Sequence, residues 1–280
     1  MALETNTTSI EALIPEIVTE AEFQAFENAL MPQLVRNYNV GAGDGLSVEV
    51  PTWNTLTSAA VAENADLINQ ESTTTSVTIT ASEYGLMTTV TDKAQYASQE
   101  SIISAQGKQH GMAIAEALDT ELLALFSTFG TTQGDGTGAL VAADIFAAVA
   151  RLRALKLSIT DIACVISPGV AYDLKSSMTQ AYAGLDTELS NEIMRSAYVG
   201  RMAGVPVYES GNMVSTAGQA LGAVFSKQAL GLVNQKPLAI ETQRDASYRH
   251  TELVSTVSYG MGALNDTYGV GMDYLSSIGV

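Results

Sequence analysis

Two histidines and one cysteine are the residues of this sequence best suited to chemistry: His110, His250 and Cys164. A zinc site needs about four nitrogen, sulfur or oxygen ligands. These three side chains would therefore have to recruit carboxylates, and the sequence contains no HExxH motif. A nucleophilic Cys–His pair would need a reactive thiol, but Cys164 lies in the apolar run DIACVISP, where a thiol is normally inert packing. The sequence therefore predicts no metal residues and no catalytic residues of these kinds.

Nucleotide-binding and hydrolase motifs are also missing from the sequence. It has no GxGxxG after a strand, no phosphate-binding P-loop and no GxSxG elbow. The tract GDGTG lacks the alternating acids and the terminal glutamate of a calcium loop. The carboxylates are scattered, and nothing marks two of them as a catalytic pair. We expect no cofactor and no enzyme activity, while a soluble α+β enzyme with a concave polar site stays open as an alternative.

The charge balance bears on the classes of partner that this chain can bind. The sequence of 280 residues has 13 Lys plus Arg against 30 Asp plus Glu, a formal net charge of -17. Such a chain repels nucleic acid rather than gripping it without specificity. A single cysteine rules out an intrachain disulfide. The opening MALETNTTSI does not resemble a signal peptide, and no window reaches transmembrane length, so we expect a soluble cytoplasmic product.

The first half of the chain contains segments that need a surface to pack on. SIEALIPEIVTEAEFQAFENALM alternates acids with apolar residues at near-helical spacing, and prolines divide it into short amphipathic pieces. LSVEVPTW and TTTSVTITASEYGLMTTVTD alternate as strands and can pair as a long antiparallel hairpin. Such a hairpin is marginally stable by itself, so it either folds back on its own domain or reaches a neighbour. Trp53, the only tryptophan, stands close to Pro51 in this segment.

A long helix is predicted over residues 93–129. Its apolar residues step by three and four: Ala115, Leu118, Leu122, Leu125 and Phe129. At 1.5 Å per residue the helix would span roughly 55 Å, which is longer than an ordinary globular domain requires. Gly107 and Gly111 weaken its middle.

The second half mixes helices and strands. ADIFAAVARLRALK and GVAYDLKSS are predicted helices, and DIACVISP between them is a predicted buried strand. GRMAGVPVYES and GAVFSKQALGLVN follow as strands, and Pro206 in the first of them indicates a sheet edge. Residues 237–280 are β-rich. The fold class is therefore α+β, with an arm, a protruding hairpin, an over-long helix and an exposed strand edge.

These features suit a subunit that packs against copies of itself. The chain resembles the major capsid proteins of tailed bacteriophages in the order of these elements and in the local sequences VISPGVAYDLK and GRMAGVPVYES. Their fold, named after phage Hong Kong ninety-seven, is shared with encapsulin nanocompartments. The resemblance implies an N-terminal arm (1–43), an extended loop (44–92), a spine helix with peripheral domain (93–156), an axial domain (157–236) and returning strands of the peripheral domain (237–280).

The resemblance also implies a function. The chain would self-assemble as pentamers and hexamers into an icosahedral shell that encloses double-stranded DNA without sequence-specific binding. Its partners would be a scaffolding protein, a portal and decoration proteins, with no membrane. Assembly would take place in the host cytoplasm, and the product would be part of the virion. An encapsulin-type shell remains an alternative, since nothing in the sequence separates a DNA cargo from an enzyme cargo.

Two departures from the family pattern change what is expected. Some members cross-link subunits through a lysine of the extended loop, but this sequence has no lysine between Arg36 and Lys93, so we expect non-covalent contacts. Some members carry a long N-terminal scaffold, whereas the arm here begins near Met1, so we expect a separate scaffolding protein or none. The residues expected at contacts between subunits are Trp53 and Pro51 in the loop and Arg201, Pro206 and Tyr208 at the axial edge.

Overall fold

A computed structural model of the chain describes residues 29–97, 102–182 and 200–278, apart from positions 42, 44, 55, 62, 64, 65, 67 and 68. Residues 1–28 of the expected arm, which include most of its amphipathic stretch, lie outside the described residues. The described part of the chain is a mixed α+β fold, as the sequence predicts. None of its helices is long and apolar enough to cross a membrane.

Five α-helices occur in the described ranges. They are α1 (Met31–Leu34), α2 (Asp92–Ala97), α3 (Ile102–Ala124), α4 (Ala142–Ala154) and α5 (Pro168–Tyr182). Short 3-10 turns follow at Leu125–Thr128, Ile159–Asp161 and Asp266–Tyr268. The helix expected over 93–129 thus corresponds to α2 and α3, with residues 98–101 outside the description, and its last turn is wound more tightly.

The described strands fall into three sheets. They are β1 (Arg36–Asn39), β2 (Ser47–Trp53), β3 (Thr74–Thr80), β4 (Ser82–Thr91), β5 (Thr132–Gln133), β6 (Ile162–Ile166), β7 (Gly200–Met202), β8 (Val205–Glu209), β9 (Ser215–Thr216), β10 (Gln219–Ser226), β11 (Leu230–Asp245), β12 (His250–Ala263) and β13 (Gly269–Leu275). One sheet has the order β1-β11-β12-β4, and the second the order β5-β13-β10-β6-β8-β7 with β9 beside β10. The hairpin β2–β3 is the third.

The strand β6, near the centre of the seven-stranded sheet, is buried on both faces. On β6, Cys164 packs into the apolar cluster beneath α4 and α5, while Val165 points into the cluster that contains Leu122 and Phe126 near the end of α3. A strand covered on both sides needs a continuous apolar run, and all five residues of β6 are buried. The prediction of a buried strand here is confirmed.

The four-stranded sheet rests one face on α3. Ile103 and Ile114 of the helix pack against Leu238 and Ile240 of β11. The strands β11 and β12 form a long antiparallel pair, and β4 continues the ladder from Thr91 to Ser82 along β12. The sequence placed β4 in the hairpin, but its partner is β12. The strand β4 therefore belongs to the four-stranded sheet, and the paired hairpin consists of β2 and β3.

Two other strands differ from the sequence-based expectation. Within residues 237–280, the strand β13 does not join β12 in the four-stranded sheet. It pairs with β10 and β5 in the seven-stranded sheet. Pro206 lies in β8, which has β6 on one side and β7 on the other, so the edge is β7. In a two-residue hairpin such as β7–β8, the pair next to the turn, Met202 and Val205, is the hydrogen-bonded one. Hydrogen-bonded and non-hydrogen-bonded pairs alternate along an antiparallel ladder, so the next pair, Arg201 and Pro206, needs no N–H from the proline.

A buried carboxylate joins the parts of the fold. Asp119 of α3 is fully buried, and its Oδ1 accepts a hydrogen bond from the backbone N–H of Met31 at 2.8 Å. Its Oδ2 accepts from the Ser210 hydroxyl at 3.2 Å and from the Asn212 side-chain amide at 3.0 Å. Ser210 directly follows β8, so one side chain fixes α1, α3 and the end of the seven-stranded sheet relative to one another.

Replacing Asp119 tests this junction. We expect Asp119→Ala to lower the free energy of unfolding of the unassembled subunit by at least about 2 kcal/mol, because it leaves a buried N–H group without an acceptor. Urea unfolding followed by circular dichroism measures the change. Glu116→Ala, which removes an exposed carboxylate from the same helix, is the matched control and should stay within about 0.5 kcal/mol of the parent. Equal effects of the two substitutions would contradict the assigned role.

Candidate functional site

The three side chains most suited to chemistry belong to different elements: Cys164 to β6, His110 to α3 and His250 to β12. Cys164 is fully buried, and burial raises the pKa of its thiol to about 12, so the thiolate is not formed near neutral pH. His250 faces Glu252 across 3.0 Å on β12. Among the described residues, no group of three or more His, Cys, Asp or Glu side chains is placed to hold a metal ion.

His110 joins α3 to the four-stranded sheet. Its Nδ1 lies 2.6 Å from the Ser255 hydroxyl, and its Nε2 lies 3.0 Å from the Thr88 hydroxyl. The Thr88 hydroxyl donates to Gln106 at 2.9 Å, so it accepts from the imidazole Nε2–H, and Nδ1 accepts from Ser255. This arrangement fits the neutral imidazole. Burial of the ring lowers the pKa of His110, because the imidazolium would lose its hydration.

The hairpin β2–β3 has two different faces. Side chains alternate across a strand, so Val48 and Val50 share one face with their partners Ile79 and Val77. At the base of the hairpin, Ile79 is buried in a cluster with Val40 and Val233. The other face carries serine, threonine and glutamate side chains together with two of the predicted contact residues, Pro51 and Trp53.

The outer part of the hairpin has no core of its own. The Trp53 side chain is 67% exposed, and beyond it Leu56 and Val61 are also exposed. Polar contacts hold the two arms together: the Asn54 side chain bonds the backbone of Glu71 and Thr73, and Gln70 bonds the backbone of Thr57. A two-stranded ribbon of this kind buries little apolar area, so it needs an external surface to be well ordered.

Close backbone approach sets the direction in which the hairpin leaves the domain. At Gly260 of β12, an added Cβ would lie 2.3 Å from the carbonyl oxygen of Thr80. At Gly231 and Gly262, it would meet the side chain of Ile79 at 2.9 and 3.2 Å. These three glycines therefore form the seat on which the base of the hairpin rests, and larger side chains would push it away.

The remaining predicted contact residues lie together on β7–β8. Arg201 pairs with Pro206, and Tyr208 lies two residues further on, so all three share one face of the sheet. Arg201 is exposed on the edge strand, whereas Tyr208 is half-buried and packs against the chain's own core beside α3. The two predicted groups are thus separate surfaces, one on the hairpin and one on the edge of the seven-stranded sheet.

Sequence reasoning missed two features of these surfaces. Leu56 and Val61 extend the exposed apolar part of the hairpin. In the sequence they could have been noticed as isolated apolar residues within a polar connection. Met87 is exposed on β4, whose second edge has no partner strand among the described residues. It was overlooked because β4 was assigned to the hairpin.

Comparisons with known proteins give a consistent picture. Residues 73–271 match the model of a family described as phage capsid protein. Comparison with curated protein sequences found no match. Solved structures of a phage capsid and a phage head share the fold of this chain at sequence identities of 18% and 13%.

Three solved structures illustrate that likeness. The capsid structure of the cyanophage P-SCSP1u has a TM-score of 0.69 at 18% identity, covering 89% of each chain. A structure of Mycobacterium phage Che8 has a TM-score of 0.70 at 18% identity, covering 87% of this chain and 90% of the other. The head structure of Helicobacter pylori bacteriophage KHP40 has a TM-score of 0.68 at 13% identity, covering 87% of each chain.

The environment of His110 predicts a pH dependence of stability. The folded pKa is lowered below the unfolded value of about 6.5, so the stabilisation is complete above about pH 6.5. As the pH falls through about 6.5, the unfolded chain binds a proton that the folded chain does not, and stability decreases. We expect the urea-unfolding free energy of the unassembled subunit to fall from pH 7.5 to 5.5, by at most about 1.4 kcal/mol per pH unit from this group.

Two variants separate His110 from other titrating groups. His110→Gln should remove most of the pH dependence in this window, whereas His250→Gln should keep it. Aspartate and glutamate have unperturbed pKa values near 4 and contribute mainly at lower pH. If His110→Gln unfolds with the same pH dependence as the parent, the buried imidazole does not control stability in this range.

Proposed function

The chain belongs to the phage capsid protein family and is a major capsid protein. From this we propose that copies of the chain join into a closed icosahedral shell, with contacts made through the outer hairpin and through the β7 edge. The family gives the chain a structural role in the virion. The finer proposal concerns how the subunits are held: by summed non-covalent contacts made around pentamers and hexamers. Each contact surface can be of ordinary size, since every subunit makes several of them.

The exposed outer half of the hairpin carries this proposal. The outward face at Trp53 has no partner surface within the described residues, although the base of the same hairpin is firmly seated in the domain. A fixed base with an unsupported apolar tip is suited to reaching a neighbouring subunit. The absence of lysine between Arg36 and Lys93 agrees with contacts that are not covalently linked through this loop.

The charge of the chain supports a DNA cargo that is not bound tightly. With a net charge of -17 per subunit, the inner wall of a shell would repel DNA and leave it free to be packed and ejected. We propose that double-stranded DNA, a scaffolding protein, a portal and decoration proteins are the other partners, and that assembly takes place in the host cytoplasm. A shell whose inward surface proved basic would contradict the proposed role of the charge.

Particle mass is the measurement that tests assembly. We expect purified protein, expressed with its scaffolding and portal proteins, to form closed particles of tens of nanometres in light scattering and negative-stain images. Native particles should contain double-stranded DNA, while an enzyme inside them would indicate an encapsulin-type shell. A discrete monomer or small oligomer under these conditions would overturn the proposal.

Trp53 tests the contact surface itself. We expect Trp53→Thr to leave the circular dichroism and unfolding free energy of the unassembled subunit unchanged, because the side chain is mostly exposed. Loss of a buried aromatic anchor typically weakens a contact by about 2 kcal/mol, so the protein concentration needed for assembly should rise at least about tenfold. Thr52→Ala, on the opposite face of the same strand, is the matched control and should assemble as the parent does. Parent-like assembly of Trp53→Thr would remove the hairpin face from the interface.

A further inference from the structure

An apolar groove of about 440 Å³ runs between α3, β11 and β1. Ile114 and Leu118 form its helical wall, Leu232 and Leu238 belong to the β11 wall, and Val257 of β12 also lines it. The polar side chains at its border include Asn37 and Lys236. Its volume is typical of sites that hold a ligand, and its apolar lining favours an apolar occupant.

The described chain begins at this groove. Ala29, the first described residue, is itself part of the lining. Two residues later, Met31 is fully buried, and its backbone is held by Asp119. The preceding residues therefore leave from a fixed point beside the groove.

The sequence that precedes Ala29 has the composition that the groove requires. Residues 10–28 contain Ile17, Phe23 and Phe26 at near-helical spacing, with several glutamates between them and no lysine or arginine. Phe23 lies six residues before Ala29, a distance of about 9 Å in a helix and about 20 Å in an extended chain. Both aromatic residues therefore lie within about 20 Å of Ala29, which itself lines the groove.

We propose that the apolar side of residues 17–28 docks in this groove of its own subunit. The tether at Ala29 gives the segment a high effective concentration there, which favours it over the same segment of another copy. Lys236 at the border, whose ammonium also lies 3.9 Å from Glu83, can attract the glutamates of the segment. The proposal concerns a single subunit and holds whether or not the subunits assemble as proposed above.

Cysteine cross-linking in the full-length chain tests the proposal. The native Cys164 is buried with a raised pKa, so thiol reagents act on introduced cysteines. In the double variant Phe26→Cys/Leu118→Cys, we expect a short bis-maleimide to link the two positions within one chain. The rate should be at least tenfold above that of Phe26→Cys/Glu116→Cys, since Glu116 lies on the exposed side of the same helix. Mass spectrometry of the digested product identifies the link.

A second pair of introduced cysteines covers the case in which the first pair of substitutions disturbs the fold of the groove. Phe23→Cys/Val257→Cys places the test on the sheet wall of the groove and should give the same link within one chain. Links between two chains would overturn the proposal in favour of a neighbour's segment. Absence of linking in both groove pairs, or equal rates in groove and control pairs, would show that the segment does not dock there. Because unassembled subunits are used, none of these outcomes depends on shell formation.

Discussion

The whole arrangement depends on one buried carboxylate. A charged side chain in an apolar interior is strongly unfavourable unless its oxygens are hydrogen-bonded. Asp119 meets this requirement with donors from three separate segments: the N–H of Met31, the hydroxyl of Ser210 and the amide of Asn212. Because each donor must be in place for the carboxylate to be satisfied, the long helix, the segment entering the domain and the seven-stranded sheet have one relative position. Apolar packing between the same elements would tolerate sliding far better.

From that fixed centre the molecule extends outward by backbone contacts that require small residues. The hairpin base crosses β12 at Gly260, and Ile79 sits over Gly231 and Gly262. Apolar burial therefore decreases along the described part of the hairpin, from a buried root to a ribbon held by the amide side chains of Asn54 and Gln70. In the proposed shell, the root would set the direction of reach, and the exposed side chains beyond it would be free to meet a neighbour.

Local patterns of the sequence predicted the elements better than their partners. The stripe of α3 and the apolar run of β6 follow directly from periodicity, because helix and strand spacing is a local property. Asp119 could not be predicted, since an acid in an amphipathic helix normally faces water. Alternation in residues 82–91 identified a strand but not its pairing with β12, because register depends on residues far away in the sequence. Trp53 was recognised by its type and its sparse surroundings, and its exposure depends on how little the outer hairpin can bury.

The position of β13 has a consequence for biosynthesis. This strand, Gly269–Leu275, lies between β5 and β10, so the seven-stranded sheet is incomplete until the last described stretch of the chain has been made. While residues 227–275 are being made, a nascent chain on the ribosome would expose the edge of β10 that β13 later covers. Pairings between distant residues close late and leave such surfaces open to aggregation. The seven-stranded sheet is therefore expected to reach its final pairing only after β13 has been made.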